Sequence, residues 1–176
     1  MKYLYSIAVI LLLSCQQNNN PVNNNQDKLQ NEITPSLTKI DSTSSKEWVI
    51  KVIREYFNGK NNDMSTITTP EYNSFKMDAM NVDLGIDGSL TSEQFTKKWS
   101  DKFPLETHPT QIGFLISAQD WGKISVPRII VKTINDNSIT FETIINDDEY
   151  ETSYQRDIHV IQNDGKYFIA DVLEYD

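Results

Sequence analysis

The spacing of apolar residues changes period once along this chain, at His108-Pro109, and that change constrains the fold more than any other feature. Before it, the spacing is helical. Trp48, Val49, Val52, Ile53, Tyr56 and Phe57 fall at i, i+1, i+4, i+5, i+8 and i+9, on one face of a helix. Ser44 and Glu47 have capping-box spacing, and Asn58-Gly59 is a stop. A second helix is predicted after Thr69-Pro70, with proline in its first turn and Tyr72, Phe75, Met77 and Met80 inward. A third is predicted from Thr91 or Ser92 to Lys102, using Phe95, Trp99 and Phe103, and Pro104 ends it.

Beyond Pro109 the pattern alternates. Strands are predicted over 111–118, 123–134, 138–145, 149–162 and 166–174. Gln119-Asp120-Trp121-Gly122, Asn135-Asp136-Asn137, Asn146-Asp147-Asp148 and Asn163-Asp164-Gly165 supply the turns between them. Pro127 marks the second strand as an edge or a bulge. Short connections make neighbours antiparallel. The expected fold class is therefore α+β: three N-terminal helices packed on a curved antiparallel sheet of about five strands.

The N-terminus reads as an address. Lys2 gives a positive start, and residues 4–13 are apolar apart from Tyr5 and Ser6. This run is too short to span a bilayer, which takes about 20 apolar residues, and suits the h-region of a secretory signal. It ends Leu12-Leu13-Ser14-Cys15. A small residue before a single cysteine, after an apolar run, resembles the lipobox of bacterial lipoproteins. That resemblance implies cleavage before Cys15 and acylation of its thiol and amine by fatty chains such as palmitate. Several chains together give stable anchoring where one gives only a marginal hold. Gln16 after the cysteine, rather than aspartate, implies the outer membrane of a bacterial cell envelope. From Gln16 to Gln26 nine of eleven residues are Asn or Gln, too polar to fold alone. The expected division is a signal peptide over 1–14, a tether over 15–44 and an α+β domain over 45–176.

Three helices followed by a curved sheet ending Ile169-Ala170-Asp171-Val172-Leu173-Glu174 resemble the cone-shaped nuclear transport factor 2-like superfamily, with a cystatin-like sheet as near neighbour. The resemblance covers roughly 45–176 and implies a pocket between sheet and helices. It implies no activity, because one fold carries many functions.

Chemistry has three candidate places. In the 149–162 strand, Asp157 and His159 are two residues apart on one face and form a candidate acid–base pair. The alternative is a solvated outer face shared with Glu151, Ser153 and Gln155. The opposite face, with Tyr150, Tyr154 and Arg156, is the candidate pocket lining, joined by Tyr72 from the second helix. Residues 83–94 resemble an EF-hand calcium loop through Asp83, Asp87, Gly88 and Leu90, with Ser89 and Glu93 as further oxygen donors. Gly85 and Gln94 stand where two carboxylates belong, so a weak calcium site competes with an Asp-Gly turn into a capped helix. Third, residues 141–176 carry ten acids and two bases, a field for a basic protein partner or a solvated face. Trp121 is either an exposed anchor or core.

The rest is exclusion. A net charge of −9 and a pI near 4.7 argue against a nucleic-acid binder. One cysteine excludes an intrachain disulfide framework, and two histidines leave little for zinc. No phosphate-binding glycine loop or Gly-x-Ser-x-Gly elbow occurs. The expected function is a lipid-anchored, non-catalytic binding domain for a small molecule or protein partner, needing no cofactor. An envelope enzyme using Asp157 and His159, and a calcium-stabilised interaction module, are the alternatives.

Overall fold

A computed structural model describes residues 39–59 and 62–175. The expected signal peptide, Cys15 and most of the expected tether lie outside these. Helix α1 spans Ser42–Asn58. It starts earlier than the Ser44/Glu47 spacing predicts, because Asp41 is the N-cap and accepts from the Ser44 backbone N–H at 2.6 Å. Ile40, assigned to the tether by sequence, is buried in the core, and its N–H donates to Asp136 O at 2.7 Å. Val49, Val52, Ile53 and Phe57 form the buried face of α1, as their spacing requires.

Helix α2, Pro70–Asn81, is capped by Thr69. Its buried face is Tyr72, Phe75, Lys76 and Ala79, at i, i+3, i+4 and i+7. Met77, expected inward, is 45% exposed, and Lys76 takes the inward place. Helix α3, Ser92–Trp99, has a full capping box between Thr91 and Gln94. Phe95 and Trp99 of α3, with Phe103 after it, meet Phe75 of α2. The rings of Phe75 and Phe103 stack at 4.1 Å, and Trp99 sits edge-on to Phe75.

The sheet has four strands, not five: β1 Ile124–Ile134, β2 Ser138–Asp147, β3 Thr152–Asn163 and β4 Lys166–Glu174. They run antiparallel in chain order, leaving β1 and β4 at the edges of an open sheet. The segment 111–118 is not a strand. Phe114, Leu115 and Ile116 are buried consecutively, where a half-buried strand would alternate. Gln111 and Leu115 have positive φ, which breaks an extended ladder. Sequence reads the segment as a strand because a short apolar run carries no period of its own. β3 begins three residues later than predicted, because Glu151 at φ 52 belongs to the turn. Asp164 and Gly165, both at positive φ, form the tight β3–β4 turn.

Candidate functional site

On β3, Tyr154, Arg156, Ile158 and Val160 face the core, as alternation predicts. The opposite face departs from expectation. Ser153 and Gln155 are exposed, but Asp157 is 2% exposed. Lys132 of β1 and Tyr175 cover it: its Oδ2 accepts from Lys132 Nζ and from the Tyr175 hydroxyl at 2.7 Å. The Asp157 carboxylate in turn holds the Lys132 ammonium above its ordinary pKa. Asp157 Oδ1 is buried without a hydrogen-bond partner among the described residues. His159 is held separately, its Nδ1 3.0 Å from Thr140 Oγ1. Burial pushes its pKa down, and Asp171 offsets part of that. The two side chains share a face but no hydrogen bond, so each serves the sheet through its own partner.

A different histidine meets a different aspartate. His108 is buried in the loop after α3, and its Nε2 lies 2.8 Å from Asp171 Oδ1. Its Nδ1 lies 2.8 Å from Pro104 O, with Thr107 Oγ1 at 3.0 Å. A carbonyl and a carboxylate both accept, so this arrangement favours the imidazolium, in which both ring nitrogens donate. Burial alone pushes its pKa down, but Asp171, Pro104 O and Glu174 outweigh that and raise it. A few residues away, Lys76 Nζ and Glu174 Oε1 form a buried ion pair at 2.5 Å.

Arg156, 0% exposed, completes the interior polar set. Its Nε donates to Leu115 O at 3.0 Å and its Nη2 to Ser117 Oγ at 3.0 Å. The guanidinium thus pins the irregular 111–118 segment against the sheet. Tyr72 is fully buried, and its hydroxyl has no partner among the described residues. Burial, helped by Glu174 and Asp171, raises its pKa well above the ordinary value, against the pull of Arg156. Tyr154 stacks near the Arg156 guanidinium at 5.5 Å. Tyr72, Tyr154 and Arg156 are therefore interior, but the 111–118 segment lies in contact with Arg156 where a pocket was expected. Tyr150 stands apart, 59% exposed in the β2–β3 turn.

Sequence reasoning passed over His108, Lys76, Asp171 and Glu174. One signal was present: Lys76 sits at i+4 on the apolar face of α2. A lysine there points to a buried anion, since a bare charge costs too much to bury.

In the 83–94 loop, the Asp83 carboxylate is already engaged. It accepts from the Ser92 N–H at 3.0 Å and from the Ser92 hydroxyl, capping α3. Asp83 N–H donates to Leu90 O at 2.9 Å and closes the loop. Gly85 and Gly88 have positive φ, which explains both glycines. Asp87 and Glu93 are exposed and Ser89 half-buried. No group of three or more His, Cys, Asp or Glu side chains placed to hold a metal occurs among the described residues.

Half of the ten acids in the C-terminal stretch are engaged by bases or backbone N–H groups within the domain. Glu142 pairs with Arg128 at 2.8 Å, Asp157 with Lys132, Asp171 with His108 and Glu174 with Lys76. Asp147 accepts from the N–H groups of Gly122, Glu149 and Tyr150. Burial raises its pKa, and those three donors more than reverse the shift. Trp121 is half-buried against the core, its Nε1 donating to Phe57 O at 3.1 Å and its ring edge-on to Phe57.

The concave surface lies elsewhere. An open cleft of about 560 Å³ runs along the outer side of α1, lined by Glu47, Ile50, Lys51, Arg54, Glu55 and Asn58. A second cleft of about 560 Å³ continues it past Ile50, Arg54 and Asn58 to Lys123, Val126, Pro127 and Asp148. Together they form a groove between helix and edge strand, with acids and bases in equal number. Arg54 and Lys123 are exposed and make no ion pair among the described residues.

The class defined by this fold is an α+β domain with three helices and a four-stranded antiparallel open sheet. No family model, no curated protein and no solved structure matches the chain. No helix among the described residues is long and apolar enough to cross a membrane.

Proposed function

We propose that the protein is a lipoprotein of a bacterial cell envelope, anchored through acylated Cys15, whose α+β domain is a non-catalytic binding module. It binds a protein partner on the α1–β1 groove rather than a substrate in the interior. The observation that carries this is the contact of Arg156 with Leu115 O and Ser117, which holds the buried 111–118 segment against the interior face of the sheet. The helix-then-sheet order supports a nuclear transport factor 2-like ancestry with its pocket plugged. The lipobox supports the anchor, and Gln16 supports the outer membrane.

The test is photo-crosslinking in intact envelopes. A benzoylphenylalanine at Ile50 is expected to give a discrete adduct that Arg54→Glu suppresses. The same probe at Ile86 is expected to give none. An adduct at Ile86 but not at Ile50 would move the interface to the 83–94 loop. No adduct at either position would remove the groove reading.

A further inference from the structure

We infer that Asn58-Gly59 is a fold-gated deamidation site: when the end of α1 opens, the Asn58 amide converts to a carboxylate, and the link between α1 and β1 is lost. The sequence Asn-Gly occurs once in the chain. Its chemistry is intrinsic and needs only water. The Gly59 peptide nitrogen attacks Asn58 Cγ and forms a C–N bond. Its proton passes through solvent to Nδ2, the Cγ–Nδ2 bond breaks, and ammonia leaves. Water then opens the cyclic imide at either carbonyl. Opening at Cγ gives aspartate, and opening at the main-chain carbonyl gives isoaspartate. Glycine favours the attack, because no side chain crowds its nitrogen and its backbone bends freely into the ring.

The fold requires both residues. A Cβ on Gly59 would lie 2.2 Å from Glu55 O, so no side chain fits there without a backbone shift. Asn58 is required by β1. Its side-chain amide donates to Ile124 O at 2.9 Å and accepts from Ile124 N–H at 3.1 Å. A primary amide supplies both the donor and the acceptor. The structure therefore keeps a reactive sequence at the junction of helix and sheet.

The same contacts hold the reaction off. Asn58 is the last helical residue, and the Gly59 N–H points along the helix to Glu55 O at 2.9 Å. The Asn58 amide is turned across to Ile124. The nucleophile and its target carbon are thus each committed to a different partner.

Opening needs only the helix end. Gly59 is extended, at φ −90 and ψ −175, so the left-handed turn that closes many helix ends is not formed. The last turn carries no basic residue to offset its carbonyls. Asn58 and Gly59 are both exposed, so water reaches them. Helix ends open at a smaller free energy than the whole domain.

The product differs where it matters. A carboxylate still accepts from Ile124 N–H but has no N–H to give, so Ile124 O loses its donor and faces a negative charge. The negative end of the helix dipole opposes that charge as well. Isoaspartate also lengthens the main chain by one methylene. Asn58 lines both clefts of the groove, where three acids face three bases, and its deamidation adds a fourth acid.

The experiment incubates the full chain in neutral detergent and mildly alkaline buffer, folded and in concentrated urea. The tryptic peptide 55–60 is then mapped by mass and by chromatography that separates aspartate from isoaspartate. Both isomers are expected at Asn58, forming at least about tenfold more slowly in the folded chain. After refolding, the deamidated chain is expected to exchange the amides of residues 56–59 faster than the unmodified chain, and Asn58→Asp to do the same. Equal rates folded and unfolded would overturn the gating. An intact Asn58 after incubation in urea would overturn the site. Unchanged exchange at residues 56–59 in the deamidated chain would overturn the loss of the α1–β1 link. That readout uses the wild-type chain, so it stands even where Asn58→Asp fails to fold.

Discussion

Replacing Lys76 by methionine isolates the strongest electrostatic commitment in the domain. The Lys76–Glu174 pair joins α2 to the edge strand β4 at 2.5 Å, with both side chains 1% exposed. Methionine keeps most of the lysine's length and volume, so packing changes little. What changes is Glu174, left as a carboxylate out of water without its cation. Removing one partner of a buried pair costs about 3–5 kcal/mol. A domain's whole stability is about 5–15 kcal/mol, so the loss is a large share. With a urea dependence of about 1–3 kcal/mol per molar, the midpoint should fall by roughly 2 M. The double variant Lys76→Met/Glu174→Leu should recover most of it, because two apolar groups replace a desolvated pair at little net cost. Urea unfolding followed by tryptophan fluorescence reads this, since Trp99 packs edge-on to Phe75 beside Lys76. The reasoning is refuted if the single variant's midpoint falls by less than about 0.5 M, or if the double variant is no more stable than the single.

The remaining predictions concern the loop after α3, a turn and the anchor. His108 has a folded pKa raised above its ordinary 6.5. Its contribution is therefore complete below about pH 6.5 and lost as pH rises through the raised value; thermal midpoints should fall across that window in the wild type and less in His108→Gln. His159, shifted down, contributes the opposite dependence: its share is present above its unfolded value and is lost as pH falls, and His159→Gln should remove it. Gly122→Ala places a Cβ 2.3 Å from Glu149 Cβ and 3.0 Å from Asp147 Oδ1; a loss of about 1–3 kcal/mol is expected by urea unfolding. Cys15→Ser is expected to abolish incorporation of an alkyne-tagged fatty acid and to release the chain from the membrane fraction.

Much of the fold was legible before any coordinates, because repetition makes it so. The face of α1 follows from spacing alone, and Thr69-Pro70 and Thr91 mark helix starts by local hydrogen bonding. The turn at Asp164-Gly165 follows from the tolerance of those residues for positive φ. The candidate site was less legible. Asp157 and His159 stand out because they are close in sequence and share a strand face. The histidine that meets a carboxylate is instead His108, 63 residues from Asp171. Sequence separation hides such a pair, since nothing in either local pattern names the other.

What the sequence alone determined is therefore local: the helix-to-strand order, the caps of the second and third helices, and the turns. Only the tertiary structure decided that the run 111–118 plugs the interior instead of pairing as a strand. An apolar stretch records that it must be buried, not against what, and here Arg156 supplies the partner for its backbone. Tertiary structure likewise decided the charge balance. The acids of 141–176 form a uniform negative field in the sequence, yet four of the ten are paired with bases brought from elsewhere in the fold and a fifth, Asp147, with backbone N–H groups. Arg54 and Lys123, unremarkable in sequence, are left exposed beside β1 without an ion pair among the described residues. Charge counts along a chain fix its total, and only the fold fixes which charges remain to meet a partner.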